Sequence, residues 1–189
     1  MSSPISPAPA DYREALPAAV AEVAENSLFS FADASDQAAF AAAAWTSLAE
    51  DGSDWLCAGV DFSGRIAGRL EITVPETLAR RLCASFAGVE RGDCISERDL
   101  LDFAGELANM VCGTWLTRSY RQNSFALTPP RVVRQRPHAA ETCDAAGECL
   151  YLSLDDAPIR LQLRWTGGSS RDQVLPEARA GGSPRKEPA

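Results

Sequence analysis

The chain is poor in the residues that make compact chemical motifs. It has a single histidine, His138, and none of its six cysteines forms a Cys-x-x-Cys pair. A zinc signature and a local dithiol motif are therefore not expected, and no Ser–His–Asp signature is found. No Gly-rich phosphate loop is present. No run of about 18 apolar residues exists, so no transmembrane helix is expected. Ala38 to Trp45 is apolar but far too short. Positive charge is also scarce, with 18 bases against 26 acids and a net charge of −8. A nucleic-acid surface needs a basic patch, and Arg131, Arg134 and Arg136 make only a short run. Residues 1–10 have no basic segment followed by an apolar one, so a secretory signal is not expected and a cytoplasmic location is. The cysteines at 57, 83, 94, 112, 143 and 149 then read as small hydrophobes kept reduced.

What is present suits one domain. The 189 residues, 46% of them hydrophobic, are enough for a core. Residues 1–10 read as a disordered leader and 167–189, rich in Gly, Ser, Pro, Arg and Glu, as a disordered tail. The folded domain is expected over 11–166. Leu16, Val20, Val23, Leu28 and Phe31 recur at helical spacing after Asp11, a candidate N-cap. Residues 33–53 form an Ala-rich insertion with the composition of a helix.

Trp55 to Phe62 and Arg65 to Val74 alternate as two strands around Ser63-Gly64. Pro75 is placed to open a helix that Gly88 closes. Ser96, with Asp99, offers the cap of a long helix reaching Tyr120. Ser124 to Leu127 reads as a short strand, Pro129-Pro130 as a break, and Val132-Val133 as strand again. Glu148 to Leu154 and Ile159 to Trp165 close the domain as a hairpin across Asp155 to Pro158. Trp45, Trp55, Trp115 and Trp165 read as core or edge anchors. Strands and helices do not alternate strictly, which argues against a parallel doubly wound sheet. The expected class is α+β, two layers, with a mostly antiparallel sheet and long helices packed on one face.

The long helix carries the chemistry. At 100° per residue, Asp102, Glu106, Asn109 and Gly113 fall within about 60° of one another. Leu100, Leu101, Phe103, Leu107, Ala108, Val111 and Trp115 fill the opposite arc. Taken alone, such a stripe is also what a solvated helix face looks like. Asp102-Phe-Ala-Gly-Glu106-Leu-Ala-Asn109, followed some twenty residues on by Pro129-Pro130, resembles the signature of the CheC/CheX/FliY family of response-regulator phosphatases. The hairpin from Val60 to Pro75, the block from Glu106 to Trp115 and the segment from Phe125 to Val133 are similar to further family blocks. A single copy of the signature is found, as in CheX-like members.

That resemblance implies an enzyme that hydrolyses the phosphoaspartate of a CheY-like receiver domain. Asn109 would position the attacking water, because an amide both donates and accepts and carries no charge to repel phosphate. Glu106 would pair with the receiver's lysine. Asp102, Gly113, Pro129 and Pro130 would meet the partner. No cofactor or metal is expected on this chain, the Mg²⁺ belonging to the receiver. A homodimer joined through sheet edges is the family expectation, with neither nucleic acid nor membrane as partner. The alternative is a docking module of the same fold without catalysis. A structural role in a flagellar switch, suggested by the FliY branch, is a third and weaker option.

Overall fold

In a computed structural model the described residues are 12–33, 43–47, 53–88, 95–136 and 148–166. The expected leader, the tail, His138, Cys94 and Cys143 lie outside them, as does most of the 33–53 insertion. Helix α1 spans Tyr12–Val23 and runs into a π-helical turn, Ala24–Leu28. Strand β1 is Ala32–Asp33, β2 Trp55–Ser63 and β3 Gly68–Pro75. Helices α2, Glu76–Ala87, and α3, Glu97–Ser119, follow. Strands β4 (Ala126–Leu127), β5 (Arg131–Gln135), β6 (Glu148–Leu154) and β7 (Ala157–Trp165) complete the domain.

All pairings are antiparallel, in the order β1-β6-β7-β3-β2, with β4 and β5 both on the outer side of β2. The period-2 pattern of β2 and β3 sends Leu56, Ala58, Val60, Phe62, Leu70, Ile72 and Val74 to one face. Ile159, Leu161 and Leu163 of β7 join them. Against this face lie α1, through Leu16 and Val20, α2, through Leu78 and Leu82, and α3. The expected two-layer α+β architecture is the one observed.

Local details depart from the sequence reading in instructive ways. Pro75 opens α2 as the N-cap immediately before it and not from inside its first turn. It ends β3 opposite Trp55, with φ −58° and ψ 139°, and α2 begins at Glu76. Gly88 closes that helix at φ 65°, donating its N–H to Ala84 and Ser85 carbonyls. The final hairpin turns on Asp155 and Asp156 alone, both with positive φ, so Pro158 is already in β7. Phe31, expected on the apolar stripe of the first helix, is 66% exposed. The π turn and the left-handed Phe29 beyond it rotate the chain off the helical period. Cys57, Cys83 and Cys112 are free thiols, but Cys149 is disulfide-bonded, contrary to the expectation of reduced cysteines throughout.

The other sheet face is covered differently. Residues 43–47 are helical and bring Trp45 onto Trp55 and Tyr151, with the Arg160 guanidinium over its ring. The insertion thus reaches the face that the three long helices do not. No helix among the described residues is long and apolar enough to cross a membrane.

Candidate functional site

Helix α3 is fixed at both ends. Ser96 Oγ accepts the Asp99 N–H at 3.1 Å, capping one of the free donors of the first turn. At the other end Arg118 bonds to Glu22 of α1. Between them Leu100, Phe103, Leu107, Val111 and Trp115 are buried in the core. Burial of that arc sets the rotation of the helix and leaves the opposite arc outside. Glu106 and Asp102 are exposed, and Asn109 and Gly113 are half-buried. Asp102 is 3.6 Å from Arg98, one turn earlier. Among the described residues no group of this chain pairs with the Glu106 carboxylate or hydrogen-bonds the Asn109 amide.

The two prolines come to this helix through a fault in the sheet. Phe62 and Ser63 face Leu127 and Ala126, whereas Gly59 faces Arg131. Between these registers Val60 and Asp61 of β2 oppose Thr128, Pro129 and Pro130. One extra residue on the outer side makes this a β-bulge. It also explains the prolines, which cannot donate to a ladder and are tolerated at a bulge on an edge. Thr128 closes the gap from both directions. Its N–H donates to the Asp61 carbonyl at 2.9 Å, and its hydroxyl accepts the Asp61 N–H at 3.1 Å.

Pro130 rests on α3 at Gly105. A Cβ built on Gly105 would lie 2.9 Å from Pro130 Cγ and 3.3 Å from its Cβ. Pro129, exposed, stands beside it. Beyond the bulge Arg134 ties β5 to the helix starts, at 2.9 Å from Glu76 and 2.7 Å from Glu97. The hydrogen bond with Glu97, first among the causes, raises the Arg134 pKa above its usual value. Asp102, Glu106, Asn109 and Gly113 thus form one open stripe, and Pro130 borders it. Gly105 and Thr128 were not singled out by sequence reasoning. The available signal for Gly105 was a glycine inside a long helix, next to Glu106.

Chemically, the stripe offers an unengaged carboxylate and an unengaged amide one turn apart on a rigid support. Among the described residues nothing competes for either group. Among the described residues no three His, Cys, Asp or Glu side chains come together as a metal-binding group.

Residues 56–153, just over half of the chain, match the family model described as "Chemotaxis phosphatase CheX". No curated protein matches. Among solved structures, the chemotaxis protein CheX from Vibrio vulnificus superposes with a TM-score of 0.61 at 19% identity, covering 85% of this chain and 100% of that one. CheX from Desulfovibrio desulfuricans gives 0.57 at 14%, covering 82% and 99%. The CheX–CheY–BeF3–Mg²⁺ complex from Borrelia burgdorferi gives 0.53 at 14%, covering 82% and 97%. At these identities the likeness speaks for the shared fold.

Proposed function

The chain belongs to the CheX family, and from that premise we propose that it hydrolyses the phosphoaspartate of a CheY-like receiver domain. The observation that carries the reading is the stripe itself. Glu106 and Asn109 project from a helix whose other side is locked in the core, and among the described residues neither has a partner.

In this reading the receiver brings the phosphoryl group, the Mg²⁺ and a lysine. The chain supplies alignment, which is most of what phosphoryl transfer asks of a catalyst. The Asn109 amide accepts a hydrogen bond from the attacking water and donates to a phosphoryl oxygen. Being neutral, it does not repel the phosphate. Glu106 pairs with the receiver's lysine and fixes the approach. Asp102, Gly113, Pro129 and Pro130 border the docked surface. A family relative in complex with CheY, BeF3 and Mg²⁺, the BeF3 being a phosphoryl mimic, supports a receiver as the class of partner. Self-association through a sheet edge is part of the same proposal and is checked by sedimentation.

The test follows loss of labelled phosphate from phosphorylated receivers in excess Mg²⁺. The wild-type chain should speed it, and Asn109→Ala should abolish the acceleration while leaving complex formation largely intact, because water positioning acts in the transition state. Asn109→Asp keeps the shape, adds a negative charge beside the phosphate and should also lose activity. Undiminished rates in both variants would sink the mechanism and leave a docking module of the same fold.

A further inference from the structure

Gly105, Asn109 and Gly113 follow one another at intervals of four residues. They therefore form a single ridge along α3. The two glycines have opposite surroundings. A Cβ on Gly105 would meet Pro130 Cγ at 2.9 Å, Pro130 Cβ at 3.3 Å and Val132 Cγ2 at 3.5 Å. Among the described residues, a Cβ on Gly113 would meet nothing within 4 Å beyond its chain neighbours and its own helix backbone. Asn109 stands between a closed end of the ridge and an open one.

The closed end cannot simply move aside. Thr128 is held to Asp61 by two hydrogen bonds on one side of the prolines. Arg134 is held to Glu76 and Glu97 on the other. The bulge is clamped at both ends, and Pro130 is its point of contact with the helix. A methyl group at position 105 would have to rotate α3 or lift the bulge, either of which moves the Asn109 amide relative to the Pro129 rim.

Resting on the phosphatase reading of Asn109, we infer that Gly105 is a positioning residue: it seats the proline bulge on α3 and so fixes where the Asn109 amide stands. Helix propensity gives the inference a clear sign. Alanine is the better helix former, so on that ground alone Gly105→Ala should stabilise the protein. A loss of stability or function therefore reports the seat and not the helix.

The experiment compares wild type, Gly105→Ala, Pro130→Ala and the double variant, all in the full chain. Two readouts are taken: receiver dephosphorylation, and the NMR resonance of the Asn109 side-chain amide. Gly105→Ala should slow the acceleration on the order of 10- to 100-fold, the scale of a misplaced catalytic group, and should shift the Asn109 amide. Removing the Pro130 ring carbon that the new methyl strikes should return the Asn109 amide to its Pro130→Ala position in the double variant and bring the rate back to that of Pro130→Ala alone, the reference for a chain without this docking proline. An unmoved Asn109 amide in Gly105→Ala overturns the inference. So does a double variant slower than Pro130→Ala. Should Gly105→Ala not fold, a folded double variant upholds the seat and an unfolded one overturns it. A wild-type chain without any effect on receivers sinks the phosphatase reading alone. The Asn109 resonance then decides the positioning claim: displaced in Gly105→Ala and returned to its Pro130→Ala position in the double variant supports it, and unmoved overturns it.

Discussion

Leu107 and Asn109 are two residues apart on α3 and face different surroundings. Leu107 is 3% exposed, in one cluster with Phe103, Val111 and the sheet. Asn109 is half-buried at the edge of an open ridge, with its amide unused among the described residues. The fold explains Leu107 completely. It places Asn109 and Glu106 but requires neither side chain. A position that the fold orients without using is where a function outside the chain has to be sought.

The comparison breaks if the core side proves dispensable. Leu107→Ala should cost about 2–5 kcal/mol, the transfer loss plus the cavity left in a packed core. Asn109→Ala should stay within about 0.5 kcal/mol of wild type, as a surface change. Equilibrium unfolding that ranks Asn109 as the costlier of the two would make it a structural residue.

Alkaline pH probes the same buried side by another route. Burial pushes the Cys112 thiol up from 9.0 to about 12. Between those values the unfolded chain loses the proton and the folded chain keeps it. The native state then binds more protons, so stability falls as pH rises through this window, by about 1.4 kcal/mol per unit at most. Tyr12, raised to about 12 by burial and by donating to the Glu148 carboxylate, contributes with the same sign. Melting temperature followed from pH 8 to 11 should therefore decline less steeply in Cys112→Ala than in wild type. Equal slopes would show that the thiol is not dry.

On the open side the expected losses are in docking, not in folding. Glu106→Ala should weaken binding of a phosphorylated receiver by about 2 kcal/mol, roughly 30-fold, as truncation of an interfacial charge pair. Glu106→Lys should weaken it further. Unfolding midpoints should not move. Titration calorimetry against a BeF3-loaded receiver measures the first, and an unchanged affinity would remove Glu106 from the docking surface.

These contrasts were legible in the sequence where the signal is local. The Ser96 cap, the apolar arc of α3, the β2–β3 alternation and the Gly88 stop depend on neighbours a few residues away, and all are found. Less legible was anything set by a partner distant in sequence. Pro129-Pro130 read as a break, but the bulge exists only as a register slip against Val60 and Asp61. Gly105 gained meaning only when Pro130 was brought to it across the fold. Phe31 was misplaced because helical spacing was extended through a π turn that the periodicity cannot reveal. Trp45 read as an anchor, yet which sheet face it anchors depended on tertiary packing with Trp55 and Tyr151.

The smallest expected effect is the sharpest test of the open ridge. Gly113 lies inside α3, and a Cβ there would meet no described atom within 4 Å beyond its chain neighbours and its own helix backbone, so nothing in the described fold calls for glycine there. Gly113→Ala should then stabilise the protein by about 0.5–1 kcal/mol, the ordinary gain for replacing glycine in a helix. In a chain of this size that raises the melting temperature by roughly 1–4 °C. The same methyl group should hinder a partner backbone that must approach the ridge beside Asn109. The variant is thus expected to be more stable and a poorer partner of the receiver, the opposite of a folding defect. Gly105→Ala, four residues before the same amide, should lose stability instead. If Gly113→Ala also destabilises, both ends of the ridge are closed by the chain itself, and the approach to Asn109 must come from another direction.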